Sequence, residues 1–338
     1  MGNGNDRWGG PFANAPSVFS PAPLVTLGPD DPLVGAAAAW FHTISGDRLR
    51  LGYLPPAAPG RGSVLLSTGR SESIEKYGEV AADLAARGFG VVLHEWAGQG
   101  LSGRYLDDRL RAHVVGGADR MLANLDDLLT ALHPLLPGPW IAVAHSMGGG
   151  LTALALTQGE RRFQAAVLCA PMIGIVTHPV PHWLVRTIAP VIGSLGSGAR
   201  LARRQVDPAG KPFERNVLTH DRTRYERTRQ LYMAHPELRL GEPTWAWVRY
   251  ACDIQAHLHA PGAAERIACP VAIVAAEHDL YVDNAAMARF CRRLRHGAMV
   301  TVLGSYHEVL METEERREQF WDVFDTTISQ LLAPGSRV

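Results

Sequence analysis

Ser146 lies at the boundary between a predicted strand and a predicted helix. The run Trp140–Ala144 has the short apolar composition of a buried strand, and His145–Gly149 leads directly into an apolar helix over 151–157. A sharp turn of this kind holds a serine hydroxyl above the edge of a sheet, and small neighbours let strand and helix approach closely. Ala144 replaces the first glycine of the G-x-S-x-G pattern and is small enough for that packing. Ser146 is therefore a candidate nucleophile, although this pattern alone also fits an ordinary turn.

Two loops further along the chain carry groups that could activate such a serine. Asp279 follows one predicted strand, and His307 lies between the last predicted strand and the last predicted helix. Serine, then an acid, then histidine, each after a strand of one sheet, is the chain order of the α/β-hydrolase triad. We predict Asp279 as the acid and His307 as the general base. Glu277 and Asp283 remain lesser candidates for the acid, although Asp283 suits the cap of the next helix.

The loop after the first parallel strand is predicted to stabilise the charge that develops on the substrate. Within Thr68–Ser73, the oxyanion loop, the backbone amide of Arg70 is expected to pair with that of Met147 as an oxyanion hole. The predicted chemistry is acyl transfer. Ser146 attacks an ester carbonyl, an acyl-enzyme forms, and water then releases the acid.

The elements that must position these residues alternate along the chain. A β-rich hairpin over 40–54 precedes six short apolar runs, and helical stretches with an apolar residue every three or four positions separate them. This alternation predicts an α/β-hydrolase fold, with a mostly parallel central sheet and helices on both faces. The six predicted strands are 63–67, 89–94, 140–144, 165–169, 271–275 and 299–303.

One long interval interrupts the alternation and predicts an insertion. We expect a core formed by residues 35–171 and 263–338, with a helical cap, or lid, inserted at 172–262. A length of 338 residues suits one core carrying such an insertion. The polar residues 1–34 are predicted to form a flexible leader.

The predicted cap combines apolar residues with an excess of positive charge. Trp183–Ile192 is apolar, and residues 172–255 hold eleven Arg and one Lys against seven acids. This combination suits an acyl chain joined to an anionic head group, or peripheral contact with a membrane surface. A solvated helix face is the ordinary alternative for 221–230. The tentative substrate-binding residues are Trp183, Arg200, Arg203 and Arg204.

The composition and the absence of cofactor-binding motifs exclude several classes of partner and cofactor. The formal net charge is zero, so we expect no nucleic-acid partner. His178 and His182 are four apart, but the prolines between them prevent a regular helix, and we predict no metal site. No dinucleotide or nucleoside triphosphate motif is present, so no cofactor is expected. Four cysteines without a pairing framework and no secretory signal favour the cytoplasm.

Several segments resemble one group of enzymes. The sequence is similar, over residues 35–330, to bacterial lysophospholipases of the monoacylglycerol lipase and serine aminopeptidase group. Thr68 and Glu95 depart from the His and Asp that are usual in that group. The segments that carry the resemblance are STGRSES, HEWAGQGLSGR, AHSMGGG, LCAPMIGI, NVLTHD, EPTWAWVR, YVDN and SYHEVLME.

The resemblance implies a triad of Ser146, Asp279 and His307 and a small lipid-like ester substrate, either a lysophospholipid or a monoacylglycerol. An acyltransferase or a general carboxylesterase would use the same triad, so both remain alternatives. An aminopeptidase suits a basic cap less well, because its cap should offer carboxylates to an α-ammonium group. A binding protein that kept the fold is the non-enzymatic alternative.

Overall fold

The computed structural model describes residues 9–15, 17–177, 179–192, 196–206, 209 and 211–332. In these residues a single sheet contains strands β1 (Phe19–Pro21), β2 (Ala37–His42), β3 (Arg48–Leu54), β4 (Gly62–Ser67), β5 (Phe89–His94), β6 (Trp140–His145), β7 (Phe163–Cys169), β8 (Val271–Ala276) and β9 (Gly297–Val302). The helices are α1 (Gly78–Ala86), α2 (Gly117–Leu132), α3 (Ser146–Thr157), α4 (His182–Ile192), α5 (Arg222–Ala234), α6 (Trp245–Leu258), α7 (Asn284–Cys291) and α8 (Glu314–Leu332).

The sheet is antiparallel at one end and parallel through its centre. Its spatial order is β1-β2-β3-β5-β4-β6-β7-β8-β9, with antiparallel pairing from β1 to β5 and parallel pairing from β5 onward. Every residue of β4, β5, β6 and β8 is buried, as expected for parallel strands covered on both faces. The predicted hairpin and six parallel strands are confirmed, with ends shifted by at most three residues.

Helices cover both faces of the sheet and form two apolar cores. One core contains side chains of α1 and α8, including Leu84, Phe320 and Phe324. The other contains side chains of α2, α3 and α7, among them Leu128 and Leu151. Because β4, β6, β7, β8 and β9 are parallel, the loops that follow them emerge at one edge of the sheet, which is where a site can be assembled.

The described part of the predicted leader does not lie free of the core. The side chains of Phe12 and Phe19 are fully or almost fully buried, and their rings pack together. Phe19 also lies in β1, which pairs with β2 and extends the sheet. Phe12 and Phe19 therefore anchor the described part of this segment to the core, and its flexibility remains a prediction.

The three helices in the interval between β7 and β8 contact different parts of the core. The α5 residue Arg224 bonds to Glu79 of α1 and Glu314 of α8, on one face. Helix α4 packs against α6, which itself packs against α2 and α3 on the other face. Tyr250 and Ile254 of α6 belong to the apolar core that also contains side chains of α2 and α3. We therefore propose that the cap ends before α6 rather than at residue 262.

Candidate active site

Ser146 is held in a strained turn between β6 and α3. Its φ of 51° lies in the left-handed region, which a residue with a side chain seldom adopts. Two glycines make the turn sterically feasible. A Cβ on Gly148 would lie 2.5 Å from the carbonyl oxygen of Thr68, and one on Gly149 would lie 2.8 Å from the Cβ of Pro171. The backbone therefore places the serine side chain at the sheet edge, as the sequence predicts.

His307 bridges the other two residues of the predicted triad. Its Nε2 lies 3.0 Å from Ser146 Oγ, and its Nδ1 lies 2.6 Å from Asp279 Oδ2. These contacts join residues from the loops after β6, β8 and β9. The arrangement can take a proton from Ser146 at one ring nitrogen while the carboxylate fixes the other ring nitrogen as N–H.

The Asp279 carboxylate is buried and fixed. Its second oxygen accepts hydrogen bonds from the amides of Tyr281 at 2.8 Å and Val282 at 3.0 Å. Burial alone would raise the pKa of Asp279, but His307 and these amides outweigh burial and lower that pKa below 3.8. The carboxylate is therefore ionised at neutral pH.

The two alternative acids have other partners in the structure. Asp283 accepts a hydrogen bond from the amide of Ala285 at 2.8 Å and caps α7. Glu277 accepts from the amide of Gly304 at 2.7 Å. Because Asp279 bonds to His307 while these residues bond elsewhere, the geometry favours Asp279.

The oxyanion loop lies directly against the nucleophile. A Cβ on Gly69 would lie 3.1 Å from the Cβ of Ser146. The loop is fixed by two side chains: Glu72 accepts from the Gly69 amide at 2.5 Å, and Gln99 accepts from the Ser71 amide at 2.8 Å. Arg70 lies between these two anchors, and Met147 lies in the first turn of α3, where backbone amides lack helical partners. Their role as oxyanion donors remains a prediction.

A buried ionic network connects the oxyanion loop to the histidine loop. His145 contacts Glu72 at 3.2 Å through Nδ1 and the carbonyl oxygen of His307 at 3.3 Å through Nε2. Lys76 pairs with Glu72 at 2.8 Å and with Glu308 at 2.6 Å. Sequence reasoning did not identify this network, although the four-residue spacing of Glu72 and Lys76 is typical of paired charges.

Burial and charge act against each other in this network. Burial alone would lower the pKa of His145, but Glu72 outweighs it and raises that pKa. Burial alone would raise the pKa of Glu72, but Lys76 and His145 hold it well below its usual range. His145 and Glu72 therefore favour their charged forms, and His145 can donate from both ring nitrogens.

A cavity of about 1040 Å³ opens onto Ser146 and His307. Its apolar lining comes from several elements, and its polar lining includes one face of α5. The apolar side chains include Met172, Ile175, Val176, Val180, Val185, Ile188, Val206, Trp245, Val248 and Leu280. The α5 side chains are Tyr225, Thr228, Arg229 and Tyr232, spaced as one helical face.

Only one of the four tentative cap residues lines this cavity. Arg203 does so and forms an ion pair with Glu242. Arg200 and Arg204 are exposed outside the lining, and the Trp183 side chain is 68% exposed at the surface. The structure does not bring these three residues to the cavity, and their role in substrate binding remains a prediction. The charge excess of the cap could not reveal which arginines turn inward.

Neither a metal cluster nor a membrane-spanning helix is found in the part of the chain that the structure describes. No group of three or more His, Cys, Asp or Glu side chains there could hold a metal ion. His178, one of the two histidines considered from the sequence, lies outside that part. No described helix is long and apolar enough to cross a membrane.

Comparison with known proteins identifies the family. The model of the serine aminopeptidase S33 family matches residues 58–314. The chain belongs to this family. Within the S33 family the chain is 35% identical to lysophospholipase L2 of Escherichia coli K12 over 269 residues, covering 75% of this chain and 76% of that protein. It is 28% identical to the probable lysophospholipase L2 of Haemophilus influenzae, covering 81% and 87%.

A solved structure confirms the fold of this S33 family member. A soluble variant of monoglyceride lipase from Saccharomyces cerevisiae, in complex with a substrate analogue, superposes with a TM-score of 0.65. The match covers 88% of this chain and 96% of that chain at 16% identity. The predicted α/β-hydrolase fold and the resemblance to bacterial lysophospholipases are both confirmed.

The departure at Glu95 has a structural role in this S33 family member. Arg50 pairs with Glu75 at 2.7 Å and with Glu95 at 2.5 Å, and all three side chains are buried. Glu95 also accepts hydrogen bonds from the amides of Leu101 and Ser102. The carboxylate therefore fixes the turn after β5 and does not contact the triad.

Proposed function

We propose that this protein is a serine ester hydrolase that cleaves the acyl ester of a lysophospholipid or a monoacylglycerol through an acyl-enzyme. The observation that carries the proposal is the chain of hydrogen bonds from Ser146 through His307 to Asp279, which opens into a cavity large enough for a lipid. The relatives named lysophospholipase L2 support the lipid-like substrate.

The reaction begins when His307 Nε2 accepts the Ser146 proton as Oγ attacks the ester carbonyl. Asp279 holds Nδ1 protonated and stabilises the imidazolium that forms. The amides of Arg70 and Met147 donate to the tetrahedral oxyanion. His307 then gives its proton to the leaving alcohol, and in the second half it activates the water that hydrolyses the acyl-enzyme.

The apolar lining is suited to the acyl chain. Val185 and Ile188 of α4 line the cavity together with Trp245 and Val248 of α6, and Met172 extends this surface toward the nucleophile. Burying methylene groups against such a surface favours binding by about 0.8 kcal/mol each. An acyl chain therefore gains affinity there that a short acyl group lacks.

The cavity is poorly suited to an aminopeptidase substrate. Such a substrate presents an α-ammonium group, which needs an unpaired carboxylate. Among the described residues, three glutamates line the cavity and all are paired, Glu72 and Glu308 with Lys76, and Glu242 with Arg203. The cavity therefore favours ester substrates over peptides, although the family is named after an aminopeptidase.

A substrate panel tests the proposal. Purified protein is assayed with lysophospholipids, monoacylglycerols, short aryl esters and aminoacyl amides, with and without an added alcohol acceptor. We expect release of free fatty acid from the first two classes and little cleavage of the amides. Preferential transfer to the alcohol would favour the acyltransferase alternative, and cleavage restricted to aryl esters would favour a general carboxylesterase.

A further inference from the structure

Arg70 contributes a side chain as well as a backbone amide to the cavity. One terminal nitrogen donates to the carbonyl oxygen of Gly241 at 2.9 Å and to Ser71 Oγ at 3.1 Å. Its guanidinium carbon lies 5.3 Å from the ring centre of Trp247. These contacts fix the guanidinium, which is the preorganisation that a binding site requires.

Most of the hydrogen-bonding capacity of Arg70 remains unused. Among the described residues, Nε and the second terminal nitrogen have no partner, and neither is sealed from solvent. Burial lowers the pKa of Arg70 from its usual value. A guanidinium that is largely desolvated and keeps open N–H groups is suited to a bidentate oxyanion such as phosphate.

Arg203 and Tyr281 line the same cavity as this guanidinium. Arg70 bonds to the carbonyl oxygen of Gly241, and Arg203 pairs with the next residue along the chain, Glu242. Within the described part of the chain, the Tyr281 hydroxyl has no hydrogen-bond partner. With Glu242 paired to Arg203, the two arginines and one glutamate leave a single net positive charge.

The position of Tyr281 beside His307 indicates which part of a substrate would reach Arg70, Arg203 and Tyr281. The rings of Tyr281 and His307 pack with their centres 5.1 Å apart. His307 protonates the leaving oxygen in the proposed mechanism, so the leaving alcohol must lie beside it. In a lysophospholipid that alcohol is a glycerol whose other end carries the phosphate.

We infer that Arg70, Arg203 and Tyr281, the Arg70 cluster, form a binding subsite for the phosphodiester of the leaving group. This inference rests on the proposed ester hydrolysis and decides between its two substrate classes. The open N–H groups of Arg70 bind the phosphate oxygens, Arg203 bonds to Glu242 through Nε and offers its terminal nitrogens, and Tyr281 donates a hydrogen bond. A monoacylglycerol lacks the anion and leaves these donors without a partner.

The test compares two substrates that differ by a phosphoglycerol group. Decanoyl monoacylglycerol and decanoyl lysophosphatidylglycerol are assayed below the concentration at which they aggregate, and kcat/KM is measured for each. Wild type is expected to prefer the phospholipid. Arg70→Met and Arg203→Met are each expected to lower the ratio of the two kcat/KM values by about 10- to 100-fold, mainly through KM of the phospholipid. Tyr281→Phe is expected to lower the ratio less.

Controls separate binding from folding. Arg249→Met removes an exposed arginine of α6 outside the cavity lining and is expected to leave the ratio unchanged. Arg70→Lys keeps the charge without the planar fork and is expected to recover part of the preference. The rate at which a fluorophosphonate labels Ser146 reports an intact site. If Arg70→Met is not labelled, Arg203→Met and Tyr281→Phe decide the question.

Each outcome has a distinct meaning. If wild type hydrolyses both esters and the ratio does not respond to the cluster variants, the subsite is wrong and the ester hydrolase stands. If wild type hydrolyses neither ester, the proposed function itself fails. Glycerophosphoglycerol is expected to inhibit hydrolysis of a short neutral ester at least tenfold more strongly than inorganic phosphate. Equal inhibition would identify a site for free anions and overturn the assignment to a head group.

Discussion

At the scale of single residues, Ser146, His307 and Asp279 are expected to act as one unit. Ser146→Ala and His307→Ala should each lower kcat by about 10⁴- to 10⁶-fold, because either change removes the same nucleophile activation. The double variant should be little worse than either single variant. Steady-state kinetics on a short ester checks this, and losses that multiply would contradict it.

The acid is tested by three conservative substitutions. Asp279→Asn should lower kcat by about 10⁴-fold, since the amide can hold His307 in place but favours the wrong tautomer. Glu277→Gln and Asp283→Asn serve as controls, because these side chains bond to Gly304 and Ala285 in the structure. A large loss in either control, with Asp279→Asn still active, would show that the acid is misassigned.

The pH dependence of kcat/KM tests whether the Asp279 carboxylate stays ionised. The pKa of Asp279 lies below its usual value because of His307 and the amides of Tyr281 and Val282, so this carboxylate stays ionised at mildly acidic pH. A general base must be unprotonated to accept the serine proton, so activity should fall at acidic pH. We expect log kcat/KM to fall with a slope of one between neutral pH and about pH 4. A slope of two would mean that the carboxylate also titrates there.

At the scale of elements, the network around Glu72 joins the end of β6 to the loops after β4 and β9. Glu72→Gln should lower the free energy of unfolding by about 3–5 kcal/mol, because it leaves the buried Lys76 with less compensation. It should also lower kcat, since the amide of Gly69 and the ring of His145 both bond to this carboxylate. Urea denaturation and esterase kinetics measure the two effects. Full stability together with full activity would contradict this role.

The same network predicts how stability depends on pH. The pKa of His145 is raised and that of Glu72 is lowered, so both groups are charged between these two values. Their contribution is lost as the pH rises through the pKa of His145 or falls through that of Glu72. In Glu72→Gln, the stability should therefore change less with pH over the same range. Urea unfolding at several pH values checks this, and parallel profiles for both proteins would contradict it.

Elements of the sheet were more predictable from the sequence than elements of the cap. Short apolar strands and the loops after them follow from local patterns, so the places of Ser146, Asp279 and His307 could be predicted. The packing of α6 against α2 and α3 depends on contacts between distant segments. The burial of Phe12 in the core and the position of the Arg70 side chain in the cavity lining also depend on such contacts. A charge count along the cap contains no information on which side chains turn toward the cavity.

At the scale of the whole molecule, apolar side chains surround the mouth of the cavity. Val180 is 42% exposed and Leu280 is 58% exposed, and both line the cavity. Trp183 of α4 is 68% exposed outside it, with Arg186 exposed on the same helix. A tryptophan beside a cation is typical of a surface that contacts the lipid interface. We therefore propose that α4 contacts the membrane from which the substrate enters.

Vesicle binding tests this contact. Trp183→Ser should weaken binding to vesicles of phosphatidylglycerol and phosphatidylcholine by about tenfold, because a large apolar side chain no longer enters the interface. Activity on a lysophospholipid in those vesicles should fall relative to activity on a soluble short ester. Met233→Ser is the matched control, since Met233 is 53% exposed but lies on α5 outside the cavity lining.

If both variants sediment with vesicles like wild type, α4 is not the contact. If both weaken binding equally, the attraction depends on exposed apolar area in general and has no defined orientation. Loss in Trp183→Ser alone would place the cavity mouth at the membrane, where an acyl chain can pass from the bilayer to Ser146 without crossing water.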